Sequence, residues 1–172
     1  PIGSILHKQK LLLTPHLKSE SIDLELNPGD DCAQFEVPMS RFSQVLFNIL
    51  KNCVESLSAP AHRTEDRFRP LIRVDLSSGE DGCRVEIHDN GPGVADEYKE
   101  KIFETFYSGK KEGTGLGLAI SRKIVESYGG TLHTADSDLG GACFILAIPS
   151  RDHREFGADQ FLSSTKEKEN NG

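Results

Sequence analysis

The sequence predicts an α+β protein, a two-layer α/β sandwich in which a mixed, largely antiparallel sheet is covered on one face by helices. The elements run helix, strand, helix, two strands, helix, helix, two strands, which is not the strict βαβ alternation of a parallel sheet. Two pairs of alternating segments are joined by short glycine-bearing connections, Ser78-Gly-Glu-Asp-Gly82 and Asp138-Leu-Gly-Gly141, of the kind that closes hairpins. Two long segments carry apolar residues at three- and four-residue intervals, so each buries one face.

Taken in order, Ile5 to Leu17 reads as a helix with apolar Ile5, Leu6, Leu12 and Leu13, and Ser21 to Leu26 alternates like a strand before the turn signal Asn27-Pro-Gly-Asp30. From Ser40 the period is helical, with Phe42, Leu46, Ile49, Leu50, Cys53 and Leu57 on one face, and it stops near Ser58, ahead of Pro60. Ala59 to Pro70 is aperiodic and reads as a loop. Leu71 to Ser77 and Cys83 to His88 form the first hairpin, and a short helix is expected over Asp96 to Phe103. Tyr107 to Gly115 is rich in glycine and lysine and is expected to move. A helix from Leu116 to Tyr128, with Leu116, Ala119, Ile120 and Ile124 inward, ends at Gly129-Gly130. Thr131 to Ala135 and Ala142 to Ile148 close the sheet. Residues 1–150 thus make one domain, and 151–172 a polar tail expected to be disordered.

Composition narrows the function classes. A chain of 172 residues suits one core, and 36% apolar with 27% charged residues is the balance of an ordinary soluble protein. Apolar runs such as Val45 to Leu50 fall far short of the roughly 20 residues that cross a bilayer, and no secretory signal is visible. A first residue of proline rather than methionine reads as a fragment. The net charge of -7 argues against a nucleic-acid surface, which needs a basic stripe. Cys32, Cys53, Cys83 and Cys143 form no CxxC pair and read as reduced thiols of a cytosolic protein, without a structural zinc site.

Three segments offer chemistry. Asn48, Asn52 and Glu55 share a stripe about 140° from the apolar face of their helix. Two carboxamides one turn apart suit a hard cation and phosphate oxygens; the plainer reading is a solvated helix face. Asp89-Asn-Gly-Pro-Gly93 follows a strand, and the two-residue period puts Asp89 on the inward face with Val85 and Ile87. A carboxylate there needs donors, of which the exocyclic amine of a purine is one, and a capped turn is the alternative. Gly113-Thr-Gly-Leu-Gly-Leu118 opens a helix, where close backbone approach and free N–H groups favour an anion, although the spacing is not that of a Walker A loop. Lys101, Lys110 and Lys111 stand nearby, either to neutralise phosphates or as ordinary surface lysines.

Together and in this order, these segments resemble the catalytic and ATP-binding domain of two-component sensor histidine kinases, in the superfamily shared with gyrase, the ninety-kilodalton heat-shock chaperones and MutL. Gln44-Val-Leu-Phe-Asn-Ile-Leu-Lys-Asn52 is similar to the N box, Asp89-Asn-Gly-Pro-Gly93 to the G1 box, and Ile102-Phe-Glu-Thr-Phe-Tyr107 to the F box. Gly113-Thr-Gly-Leu-Gly-Leu118 matches the G2 box, and Gly140-Gly-Ala-Cys-Phe144 the last glycine motif. Phe106-Tyr-Ser-Gly-Lys110 most resembles the short-lid kinases of the nitrogen-regulation type. The resemblance spans Ile5 to Pro149 and implies a Bergerat-type fold that binds ATP and Mg2+. It makes Asn52 the magnesium ligand, Asn48 its phosphate-side neighbour, and Glu55 an orienting group for the asparagine or a water. Asp89 would accept from the adenine amine, with Gly91 and Gly93 leaving room for the base. Lys110 and Lys101 would meet phosphates, and the backbone of Gly113, Thr114, Gly115, Leu116, Gly117 and Leu118 would wrap the triphosphate.

In the superfamily's hydrolases a glutamate general base stands where this chain has Asn48, and a carboxamide takes no proton at neutral pH. ATP should therefore be held for a nucleophile rather than rapidly hydrolysed. None of the six histidines sits on a helix before an acidic residue, so the resemblance places the phosphoacceptor on an upstream dimerisation helix, and the chain alone should not autophosphorylate. Expected partners are that upstream helix pair and a response regulator, reached through the full-length kinase, with no nucleic acid and no direct membrane contact. The domain would be cytoplasmic whether or not its parent is anchored. Competing readings are a degenerate ATP-sensing or scaffold module, an anti-sigma-type protein serine kinase, and a chaperone-like clamp, against which Asn48 counts.

Overall fold

A computed structural model describes residues 1–29, 37–59, 68–79, 82–107 and 114–150. The stretch 60–67 of the expected loop, the tips of the Asn27 turn and the first hairpin, Cys32 and the polar tail lie outside the described residues.

Helix α1 (Ile2–Ser19) buries Ile2, Ile5, Leu6, Leu13 and Leu17 and leaves Leu12 turned outward, 56% exposed. Strand β1 (Asp23–Asn27) follows, then α2 (Met39–Leu57), whose Phe42, Val45, Leu46, Ile49, Leu50, Cys53, Val54 and Leu57 form the continuous apolar face that the sequence period requires. The Ser58 hydroxyl donates to the Val54 carbonyl and closes the last turn.

Among the described residues five strands form the sheet in the order β1-β2-β3-β5-β4, with β2 Leu71–Gly79, β3 Gly82–Asp89, β4 Thr131–Asp136 and β5 Ala142–Pro149. Only β1 and β2 run parallel, consistent with the helix between them, and every other pair is antiparallel. The two-residue period sorts the sheet into faces. Ile72, Val74, Leu76, Val85, Ile87, Phe144, Leu146 and Ile148 join the helices in one core. Alternate positions, among them Arg73, Asp75, Arg84, Glu86 and His88, lie on the opposite face, where Arg73 bridges Asp75 and Asp138 and Arg84 pairs with Glu86. A mixed sheet with helices on one side is thus the architecture, as its element order predicts.

Three expectations change. The segment Asp96 to Phe103 is not one helix but two 3-10 turns, Asp96–Tyr98 and Lys101–Phe103, because only Phe103 in them is buried and one anchor cannot hold an amphipathic helix down. Helix α3 runs Gly117–Glu126 and turns Ile120 outward, 38% exposed. Its inner face includes Ser121, fully buried, whose hydroxyl is satisfied locally by donating to the Gly117 carbonyl, a residue that an apolar count assigns to the outside. Neither Cys53 nor Cys143 is in a disulfide, but Cys83 is disulfide-bonded, since spacing along the chain does not reveal which segments meet in space.

Candidate nucleotide site

The C-terminal end of β3 meets α2 and the turn between β4 and β5, and α2 in turn holds the N-terminus of α3. Asp89 is the last residue of β3 and is 2% exposed. Its Oδ1 accepts from the backbone N–H of Gly91 at 2.9 Å and of Ala142 at 3.2 Å. Two main-chain donors fix the carboxylate's direction and offset part of its desolvation. Oδ2 has no hydrogen-bond partner among the described residues, which leaves an oriented acceptor for an incoming donor. Asn90 ties the following turn back to β2 by accepting from Leu71 N and donating to Arg69 O, both at 2.8 Å.

Glycine is required around this carboxylate for space. A Cβ on Gly141 would overlap Asp89 Oδ1 and its main-chain oxygen, and one on Gly91 would come to 3.0 Å from Oδ1 and 3.2 Å from the Ser56 hydroxyl of α2. Gly93, at φ +74°, faces Gly141. In the sequence the Gly140-Gly141 pair reads only as a hairpin turn and a glycine motif, and Gly141 as the residue packed on Asp89 is visible only once β5 is set beside β3.

On α2, Asn48, Asn52 and Glu55 are half-buried along one stripe. Asn48 Nδ2 donates to the Gly117 carbonyl at 3.1 Å and to the Ser121 hydroxyl at 3.2 Å, so it pins the start of α3 to α2. Asn52, one turn on, makes no side-chain hydrogen bond among the described residues, and its carboxamide oxygen is available to a cation. Glu55 lies 3.6 Å from Lys51 in a solvent-exposed pair.

Phe106 donates its N–H to the Gly115 carbonyl at 3.0 Å, which joins the two ends of the segment expected to cover a ligand. Gly115 has φ +62°, and a Cβ there would stand 2.5 Å from the Phe106 carbonyl carbon, so this closure demands glycine. At Gly117, by contrast, a Cβ would find only ordinary contact at 3.6 Å from Asn48 Cγ, and the fold places no demand for glycine there. Thr114 is exposed, and Leu116 and Leu118 are half-buried at the mouth of α3. Lys110 and Gly113 lie outside the described residues.

Asp96, Lys99 and Glu100 of the 96–103 turns have structural partners. Lys99 bridges Asp96 at 2.7 Å and Asp136 at 2.8 Å; hydrogen bonds to Asp136 and Asp96 raise its pKa, and Lys99 holds the Asp96 carboxyl below its usual range. Arg122 of α3 stacks 4.1 Å from the Phe103 ring centre, donates to Leu132 O and pairs with Glu100, whose pKa it lowers. Lys101 is exposed, its ammonium 5.4 Å from the centre of the Tyr98 ring.

The family model for histidine kinase-, DNA gyrase B- and HSP90-like ATPases matches residues 39–152. The chain belongs to this family. Within it, the chain is the ATP-binding catalytic domain of a sensor histidine kinase. It is similar to the sensor histidine kinase ZraS of Escherichia coli K12, 28% identical over 86% of this chain and 30% of that protein. It also resembles the C4-dicarboxylate transport sensor protein DctB of Rhizobium meliloti, 35% identical over 76% of this chain and 20% of that protein. The nucleotide-free catalytic domain of histidine kinase ThkA superposes with a TM-score of 0.71 at 30% identity, covering 85% of this chain and 90% of that one. The chain spans less than a third of the length of the curated relatives it matches. Among the described residues no helix is long and apolar enough to cross a membrane.

Proposed function

We propose that the domain binds magnesium ATP and donates the γ-phosphoryl to a histidine on an upstream dimerisation helix, in two-component signalling. The observation that carries this reading is Asp89, held by Oδ1 on two backbone N–H groups with Oδ2 unpartnered among the described residues, as an acceptor for the adenine amine. The free carboxamide of Asn52 suits a magnesium ion, which when bound neutralises phosphate charge and orients the triphosphate. Gly117, a glycine without a folding reason, suits close approach of the α3 N-terminus to a phosphate, with Thr114 to Leu118 along the same path. Lys101 and Lys110 are its candidate phosphate contacts, and Glu55 orients Asn52 or a water.

Asn48 bears on the reaction. Its amide is committed to Gly117 and Ser121, and a carboxamide accepts no proton, so water at the γ-phosphate goes unactivated. The γ-phosphoryl passes to the incoming imidazole nitrogen, the bond to the β-phosphate oxygen breaks, and ADP leaves. The related kinase ShkA, 25% identical, has been solved with AMPPNP, and ThkA with the response regulator TrrA, which supports ATP as donor and a response regulator as the later partner. The catalytic unit spans residues 1–150, works in the cytoplasm, and is followed by a polar tail.

The test is calorimetric titration of ATP with magnesium, followed by labelling from γ-labelled ATP with the parent's upstream segment joined to the chain. Binding, and acid-labile label on a histidine of that segment only, are expected. Absence of binding by the folded chain, or acid-stable label on serine of a protein partner, overturns the proposal.

A further inference from the structure

The sheet face turned away from the helices carries a cluster that nucleotide binding does not use. Glu86 and His88 are two residues apart on β3 and so share that face, while Cys143 on β5 stands directly opposite His88 in the strand register. One ligand atom from each of the three lies within 4.8 Å of the others. His88 and Cys143 are buried and Glu86 is partly exposed, which gives a lined floor and an open side for entry.

The geometry suits one ion. Cys143 Sγ lies 3.6 Å from His88 Nε2. Zinc–sulfur and zinc–nitrogen bonds of about 2.3 and about 2.0 Å meeting at a tetrahedral angle set sulfur and nitrogen about 3.5 Å apart. An ion can therefore span the pair with little movement of either side chain. On the far side of the imidazole, Nδ1 lies 3.2 Å from the Ser137 hydroxyl and 3.3 Å from Asp138 Oδ1. Acceptors at Nδ1 hold the proton there and aim the Nε2 lone pair at Cys143, the arrangement that orients metal-binding histidines. Asp75 Oδ2, 3.6 Å from Nε2, flanks the remaining coordination position.

We propose that Glu86, His88 and Cys143 form a binding site for a zinc-class divalent transition ion. Thiolate and imidazole donors favour such an ion over magnesium or calcium, which take oxygen ligands. Binding breaks the Cys143 S–H bond, forms a metal–sulfur bond and releases the proton to solvent. The surrounding charges are Arg73 and Asp75 on β2, Arg84 on β3 and Asp138 in the turn, with His133 on β4 in the next row across Ile145. Arg84 holds Glu86 Oε1 through Nε and Nη2, so binding exchanges this ion pair for a bond to the metal. Cys53 belongs to the core beneath α2 and Cys83 is disulfide-bonded, so neither thiol competes.

The experiment is titration of the full chain with cobalt(II), then zinc(II), without thiol reductant so that the Cys83 disulfide stays closed. Expected are one ion per chain, a thiolate-to-cobalt charge-transfer band that zinc abolishes, and a rise in thermal midpoint. Cys143→Ser should lose the band. Glu86→Gln, at a partly exposed position that leaves the core intact, should weaken zinc binding by roughly tenfold or more, and Ser137→Ala by about 10- to 100-fold. The absence of a band in the folded wild type, a band that persists in Cys143→Ser, or unchanged affinity in Glu86→Gln would each overturn the site.

Discussion

Replacing Asp89 by asparagine separates recognition from folding. The carboxamide oxygen can take the place of Oδ1 and keep accepting from Gly91 N and Ala142 N, so the turn and the β3–β5 contact survive. The other position changes from acceptor to donor, and there an adenine amine would meet an N–H group. Loss of a hydrogen bond to a charged acceptor costs about 1.5–3 kcal/mol, and at about 1.4 kcal/mol per decade the dissociation constant for ATP rises about 10- to 150-fold. Because the retained bonds weaken only by the loss of charge, destabilisation stays near 1 kcal/mol, and the thermal midpoint moves by less than about 4 °C for a domain of this size. Inosine triphosphate, which carries an oxygen in place of the amine, gives the decisive comparison. The wild type should prefer ATP, and Asp89→Asn should lose or reverse that preference, as calorimetry on four protein–nucleotide pairs reads directly. Equal loss of both nucleotides with an unchanged preference, or ATP binding as tight as the wild type's, would refute the role given to Oδ2.

Asn48→Ala removes both bonds that pin α3 to α2 and should lower unfolding free energy by about 1–3 kcal/mol in a urea titration, without raising ATP hydrolysis. Gly117→Ala should leave the fold at least as stable, with a gain of up to about 1 kcal/mol from helix propensity, yet weaken ATP binding; an unchanged affinity would remove the phosphate role of that glycine. Gly141→Ala should lower both stability and ATP affinity, because the added methyl and Asp89 cannot share the space, with circular dichroism and calorimetry as the paired readouts. Burial pushes the Cys143 thiol from its ordinary 9.0 up to about 12. An acid whose folded pKa is raised stabilises the fold fully below 9.0, and that contribution is lost as pH climbs towards about 12, so midpoints of the wild type should fall across this window more steeply than those of Cys143→Ala.

What could be read from the sequence and what could not divide along one physical line. Periods of two and of three to four residues are local, and they located α2, both hairpins and the inward placement of Asp89. The short turns over 96–103 failed that test because their partners are distant: Lys99 reaches Asp136 of β4, and Arg122 of α3 covers Phe103. Ser121 failed it because a hydroxyl bonded to its own helix can lie inside at small cost. The same division separates the two sites. The residues expected at the nucleotide site are recognisable from motifs contiguous in sequence, even though Asn48 proves to be engaged with α3. The outer-face cluster has no such motif. His88 and Cys143 are far apart in the chain, and only the β3–β5 register makes them neighbours. A one-residue slip of that register would send Cys143 into the core and leave His88 without it, so the outer cluster depends on the same pairing that holds Ala142 N–H on Asp89.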